Sequence, residues 1–285
     1  MACIPLQRDG YFLYALTAFC SPRGLVGLGT FFENPSGDDQ SVSWYGQQEG
    51  CPVHVRLENG EVLTSISVFW GTISTPYLTC TTNRGRNLSL GPYISPEETR
   101  IQTLYNGAAG DAIDLFYEIS PGLPAFTSLG IIGSPNLSTW ETRPHSSMVP
   151  SMPFHFNQLG LLESSPWTSF TSQASYTDIK ALKVCYVGPR CTGMLISYNN
   201  DSSLGILGQW YESTSHQANI VELAHQSNHV LRFSLAVSEG YEYVESIQSI
   251  HSSVLSEVRP GDILPGDDII WLYAPFSDII LRVPA

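Results

Sequence analysis

Apolar residues along this chain fall in short runs broken every few positions by Gly, Pro, Asn, Asp or Ser, and no stretch keeps the helical period of an amphipathic helix. Two of these arrangements match each other. Ala15-Leu16, Pro22-Arg23, Gly27-Leu28, Phe32-Glu33-Asn34 and Gly46-Gln47 recur in the same order as Ala181-Leu182, Pro189-Arg190, Gly193-Met194, Tyr198-Asn199-Asn200 and Gly208-Gln209. The first glycine returns after 166 residues and the Gly-Gln pair after 162, a difference that small loop changes absorb. Each copy reads strand, turn, strand, polar turn, strand. Val26 to Phe32 and Met194 to Tyr198 carry the apolar and aromatic residues of strands, while Asn34-Pro35-Ser36-Gly37-Asp38-Asp39 and Asn199-Asn200-Asp201-Ser202-Ser203 carry turn formers. The pattern predicts an all-β chain with a β module over residues 1–120 and a second, degenerate one over 178–285. Between them, residues 121–177 are crowded with Pro, Ser and Thr, which predicts an irregular connector.

Composition agrees and narrows the choice of partners. Of 285 residues, 42% are apolar and 14% charged, too apolar for a disordered chain. The net charge of −13 opposes the counterion release that binding to nucleic acid requires, and it equally opposes docking to anionic membrane. The basic residues are unequal in kind: Lys occurs only at Lys180 and Lys183, and the rest are Arg. No apolar run reaches bilayer length. Tyr11 to Cys20 has the apolar character of a signal segment, but Arg8 is cancelled by Asp9, so a cytoplasmic location is expected over secretion. Cys3, Cys20, Cys51, Cys80, Cys185 and Cys191 form no CxxC pair, which predicts buried thiols and no zinc site. Three Asn-x-Ser sequons, at Asn87, Asn136 and Asn200, are matches that a Ser-rich chain produces by chance.

The first module continues through Leu57-Glu58-Asn59-Gly60-Glu61-Val62-Leu63-Thr64-Ser65-Ile66-Ser67-Val68, then Thr82-Asn83-Arg84-Gly85-Arg86, and closes with Gly107-Ala108-Ala109-Gly110-Asp111-Ala112-Ile113-Asp114. This order of phrases resembles the jacalin-related lectins, with their G-E-x-I strand, Asn-x-x-Arg turn and final G-x-x-G-x-x-[IL]-D segment. The resemblance covers residues 11–118. In the second module only the opening hairpin and the closing Ile269-Ile270-Trp271-Leu272-Tyr273 strand support it. It implies two tandem β-prism modules, each of three sheets about a pseudo-threefold axis. It also implies a sugar held by Asp114, with Asp111 nearby, Gly107 and Gly110 shaping the loop, and Tyr105 or Asn106 beside it. A carboxylate flanked by N–H donors can engage two adjacent sugar hydroxyls. Two departures stand out: Met1 to Gly10 holds one glycine where the family carries a Gly-rich loop, and the second module lacks the final loop motif.

Catalytic motifs are sparse. Gly24 to Gly29 has the wrong glycine spacing for a dinucleotide loop, and no nucleophile elbow or P-loop occurs. His225 and His229 have metal-ligand spacing, but no third ligand accompanies them and a strand-turn setting predicts solvent-facing rings. The acidic pairs Asp38-Asp39, Glu97-Glu98 and Asp267-Asp268 are adjacent, which in strands separates them and in turns leaves them solvated. An enzyme without a motif remains open: an aromatic pocket between the modules, drawing on Trp44, Tyr45, Trp70, Trp210 and Trp271, could fold an apolar substrate while His54, Arg86 or Gln209 polarises it. Cofactor-independent cyclases and pericyclases of the Diels-Alderase kind act in this way. The Arg-over-Lys composition with L-G-Q hairpins also resembles uncharacterised fungal proteins of the sort recruited to natural-product pathways. The expectations are therefore a small-molecule ligand, sugar first and apolar metabolite second, with no metal and no cofactor. An acidic protein-interaction module stands third.

Overall fold

The computed structural model describes residues 2–21, 24–70, 76–92, 100–107, 113–120, 122, 125–132, 139–141, 170–199, 204–211, 218–255 and 257–284. They are almost wholly antiparallel β-structure, with no α-helix among them and one 3-10 turn at Ser252–Val254. The chain is all-β, and no described helix is long and apolar enough to cross a membrane. It divides into two compact units, Met1–Thr168 and Ser169–Ala285.

Unit 1 contains β1 (Ala2–Pro5), β2 (Phe12–Ser21), β3 (Gly24–Glu33), β4 (Gln40–Gly46), β5 (Cys51–Arg56), β6 (Leu63–Trp70), β7 (Pro76–Thr82), β8 (Asn87–Leu90), β9 (Arg100–Asn106), β10 (Asp114–Ile119), β11 (Phe126–Ile132) and β12 (Thr139–Glu141). Its sheets run β4-β3-β2-β5, β12-β9-β6-β7-β8 and β1-β10-β11. In the first two, three hairpin-linked strands are joined by a fourth that returns beside the first, a Greek-key order. In the last, the opening strand pairs with the late strand β10 and ties the two ends of the segment together.

Unit 2 contains β13 (Phe170–Ser175), β14 (Ile179–Val187), β15 (Arg190–Tyr198), β16 (Leu204–Gly208), β17 (Ala218–Leu223), β18 (His229–Ser238), β19 (Tyr241–His251), β20 (Asp268–Tyr273) and β21 (Asp278–Val283). The sheets β16-β15-β14-β17 and β13-β20-β21 repeat the orders of unit 1, and the hairpin β18-β19 stands where β6-β7 stands there. Two findings depart from the sequence expectation. Within residues 121–177, Phe126–Ile132, Thr139–Glu141 and Phe170–Ser175 are strands; they pair with β10, β9 and β20, partners no local pattern could indicate. Residues 142–169 lie outside the described residues. The second half also repeats the first well beyond its opening hairpin.

The repeated glycines explain why the two halves share that hairpin. Gly27 lies opposite Gly46, and Gly193 opposite Gly208. Gly46 and Gly208 adopt φ of 76° and 68°, a region costly to residues with a Cβ. A Cβ on Gly46 would lie 2.4 Å from the Val26 carbonyl oxygen and 2.6 Å from the Phe126 ring; one on Gly208 would lie 2.4 Å from the Thr192 oxygen and 3.1 Å from the Trp271 ring. The amides that follow close the turn, Gln47 N–H donating to Val26 O at 2.8 Å and Gln209 N–H to Thr192 O at 2.6 Å. In both units a ring from the sheet that holds the opening strand therefore rests on bare backbone.

The surplus of Arg has a structural use. Each buried carboxylate among the described residues, Glu61, Asp262, Asp267 and Asp278, is held by an arginine. Glu61 accepts from Arg86 Nε and Nη2 at 2.8 and 2.9 Å, from Thr82 Oγ1 at 2.6 Å and from the Glu58 amide at 2.8 Å. Asp278 accepts from Arg190 Nε and Nη2, from Trp271 Nε1 and from the Val244 amide, all within 3.0 Å. A planar guanidinium meets a carboxylate through two parallel bonds, which a lysine ammonium cannot. Asp267, expected in a solvated turn, is buried and bonded to Arg282 at 2.6 Å. Burial pushes the Glu61 carboxyl up, but Arg86, the Glu58 amide and the Thr82 hydroxyl outweigh it and hold it below its ordinary value. Asp262 is held low by Arg232, against burial.

Gly208→Ala is expected to cost about 1–3 kcal/mol for the forced conformation and more for the carbonyl contact. Gly240→Ala, with φ of 85° and open space around it, incurs only the conformational part; urea midpoints of the two variants check the difference. Arg86→Ala strands Glu61 and is expected to destabilise by about 3–5 kcal/mol. Because Glu61 and Asp262 are depressed in the folded state, the stability they contribute is full above their unfolded values near 4 and falls as pH drops through the lower folded values. Urea midpoints measured from pH 6 to pH 3 should fall steeply in the parent and less steeply in Glu61→Gln.

Candidate functional site

Asp114 is the first residue of β10, in register with Pro5 of β1 on one side and Ile132 of β11 on the other. Strand alternation places it. Ile113 and Leu115 point into the core at 6% and 1% exposure, so Asp114 faces the opposite side and is half-buried. The exposed Cys3 side chain, diagonal to it across β1, hydrogen-bonds its carboxylate, and slight desolvation, the Asp114 charge and that bond together raise the Cys3 thiol above its ordinary value. At the end of β9, in another sheet, Asn106 is exposed and the Gly107 amide donates to Thr64 O at 3.1 Å. Tyr105 is 1% exposed, so its ring belongs to the core and cannot lie against a ligand. Gly110 and Asp111 lie outside the described residues.

Five of the buried or partly buried acids, Glu58, Glu61, Asp262, Asp267 and Asp278, answer to an arginine, whereas the described neighbour of Asp114 is a neutral thiol. That difference is chemical. A carboxylate neutralised by a guanidinium on both oxygens has little capacity left for a ligand, while Asp114 retains acceptor positions toward solvent.

The remaining sequence candidates sort into two groups. Arg86 is committed to Glu61 and to the Arg56 carbonyl, and Gln209 is 5% exposed with its amide donating to Ala274 O at 3.3 Å. Both hold strands together and neither faces a substrate. Trp271 donates to Asp278 from within the core of unit 2, and Trp210, 2% exposed, packs with Cys185 and Leu195. Trp70 and Tyr45 are half-buried.

His54 and Trp44 do come together. His54 Nδ1 shares a 2.6 Å hydrogen bond with Thr17 Oγ1, and the Phe31 ring meets both the imidazole, at 5.6 Å, and the Trp44 indole, at 5.5 Å, edge-on. Trp44 lies over Gly29, where a Cβ would come within 2.3 Å of the indole, and keeps 37% of its surface exposed.

Two features escaped the sequence reading. Asp268 opens β20 as Asp114 opens β10, and it is half-buried and bonded to Gln173 of β13 as Asp114 is bonded to Cys3 of β1. Strand position, not the loop motif, carries the likeness. His225 and His229, expected to face solvent, are half-buried in a row of rings from Tyr176 to His251 with centroids 5.5 to 6.0 Å apart. Tyr176 Oη bonds His225 Nδ1 and donates to the His229 carbonyl, and His229 Nδ1 bonds Ser249 Oγ at 2.7 Å. Burial and the neighbouring His229 push the His225 pKa down. No cluster of three metal-ligating side chains occurs among the described residues. The six cysteines form no disulfide; five are buried and Cys3 is exposed. No protein-family model matches the chain, and no curated protein is significantly similar to it.

Proposed function

We propose that the protein is a lectin-like small-molecule-binding protein whose ligand is a carbohydrate bound at Asp114. The tandem β-prism reading is supported by the sheet orders: in each unit the opening strand joins the late strands, and a separate Greek-key sheet follows. The observation that carries the ligand reading is Asp114 itself, a half-buried acid at a strand entrance with no arginine on it among the described residues. A pair of vicinal sugar hydroxyls can donate to its two oxygens. A carboxylate of this kind suits an uncharged sugar on a protein of charge −13.

A second reading, cofactor-free cyclisation of an apolar substrate, is favoured by one observation, the Thr17–His54 hydrogen bond walled by Phe31 and the exposed Trp44. The two readings use different residues of unit 1, so one pair of variants separates them. On a glycan array and on immobilised sugars, Asp114→Asn is expected to lose at least about tenfold in retention, the weight of one charge-assisted hydrogen bond. Its thermal midpoint should stay within a degree or two of the parent. Trp44→Ala should retain sugar normally. Undiminished retention by Asp114→Asn, or no retention by the parent, overturns the carbohydrate reading; loss of retention only in Trp44→Ala moves the site to the aromatic cluster.

A further inference from the structure

Asn-Gly occurs twice in the chain, at Asn59-Gly60 and Asn106-Gly107, and the fold treats the two steps differently. In such a step the glycine nitrogen can attack the asparagine side-chain carbonyl, since glycine offers no Cβ to obstruct the approach. The attacking form is the deprotonated amide, whose charge is shared with the main-chain carbonyl oxygen of the asparagine. An unoccupied glycine N–H and a cation on that oxygen therefore both speed the reaction.

Asn59 and Gly60 are the exposed centre of a turn, closed by Glu61 N–H donating to Glu58 O at 2.9 Å, with Gly60 at φ of 73°. Neither the Gly60 amide nor the Asn59 carboxamide has a hydrogen-bond partner among the described residues. The Asn59 carbonyl oxygen accepts from Arg84 Nη2 at 2.5 Å, while Arg84 Nη1 pairs with Glu58. A charged donor is thus aimed where negative charge develops. At the second step the arrangement is reversed: the Gly107 amide donates to Thr64 O at 3.1 Å and must break that bond before it can attack.

We propose that Asn59 is a self-modification site at which Arg84 promotes loss of the side-chain amide. Gly60 N bonds to Asn59 Cγ, the Cγ–Nδ2 bond breaks, and Nδ2 leaves as ammonia with the proton that Gly60 gives up. Water then opens the cyclic imide at one of its two carbonyls, yielding aspartate or isoaspartate, with no change of oxidation state. Either product places a carboxylate beside Glu58 and Glu61, adding one negative charge to the net −13. The isoaspartyl form also lengthens the main chain by one carbon, in a turn where Gly60 O accepts from Asn83 Nδ2 at 3.1 Å.

Peptide mass spectrometry of the full chain held in warm neutral buffer should show Asn59 converting at least about tenfold faster than Asn106, as a hydrogen bond to a charged group allows. In concentrated urea, where both steps are unfolded, the two rates should converge. Arg84→Gln should slow Asn59 about tenfold in the folded chain and leave its rate in urea unchanged. A merely structural Arg84 would give the opposite sign, because loosening the turn frees it to cyclise. Arg84→Lys keeps the charge but not the fork that reaches both Glu58 and Asn59; it should slow Asn59 likewise and serves if the first variant does not fold. Equal rates at the two sites in the folded chain overturn the proposal, as does an Asn59 rate that the Arg84 variant leaves unchanged or raises.

Discussion

Where a ring or a neighbouring carbonyl must stand in the place of a side chain, a strand can carry only glycine, and this chain meets the constraint twice at matching turns. The absent Cβ of Gly46 and of Gly208 leaves room for the Phe126 and Trp271 rings, and that of Gly27 and of Gly193 leaves room for the backbone of Gln47 and Gln209. The rings belong to the sheets in which the opening strand of each unit pairs with late strands, so the contact fastens the Greek-key sheet to the sheet of the opening strand in the same unit. The left-handed turn at Gly46 and Gly208 hands the chain on to Gln47 and Gln209, whose amides bond back across the pair. The two halves share the Gly-Gln phrase because backbone geometry requires it, while the surrounding sheets differ in length, edges and surface.

The second organising interaction is electrostatic. Four carboxylates are removed from solvent, each is held by a guanidinium, and Arg86, Arg190 and Arg232 also reach main-chain carbonyls. These ties join strands distant in sequence, such as Arg190 of β15 with Asp278 of β21. They also divide the acidic residues by role. Those with arginines are structural, and the acids at the two strand entrances, Asp114 and Asp268, face a thiol and a carboxamide instead.

Much of this was legible in the sequence, and the parts that were not have a common cause. Local signals identified strands and turns: apolar runs at Val26 to Phe32 and Met194 to Tyr198, turn formers after them, and the recurring Gly-Gln pair. Asp114 was found through a loop phrase and does sit at a strand entrance. Strands whose identity depends on remote partners were missed. Phe170–Ser175 is a polar run, FTSQAS, held in place by β20 almost a hundred residues later. Asp268 escaped because its position is defined by pairing with β13 and not by any nearby motif. Arg86 and Gln209 look like catalytic donors in isolation; only the buried acid and carbonyl they serve reveal them as ties.

Amide hydrogen exchange at Gln47 and Gln209 tests most directly whether the glycine contacts anchor each unit. If they do, both amides exchange only when their unit unfolds, with protection free energies equal to the denaturant-derived stability and slopes of the same size. Exchange of either amide at rates near those of the exposed β18-β19 turn at Glu239-Gly240 would contradict the account, because the contact would then open without the fold.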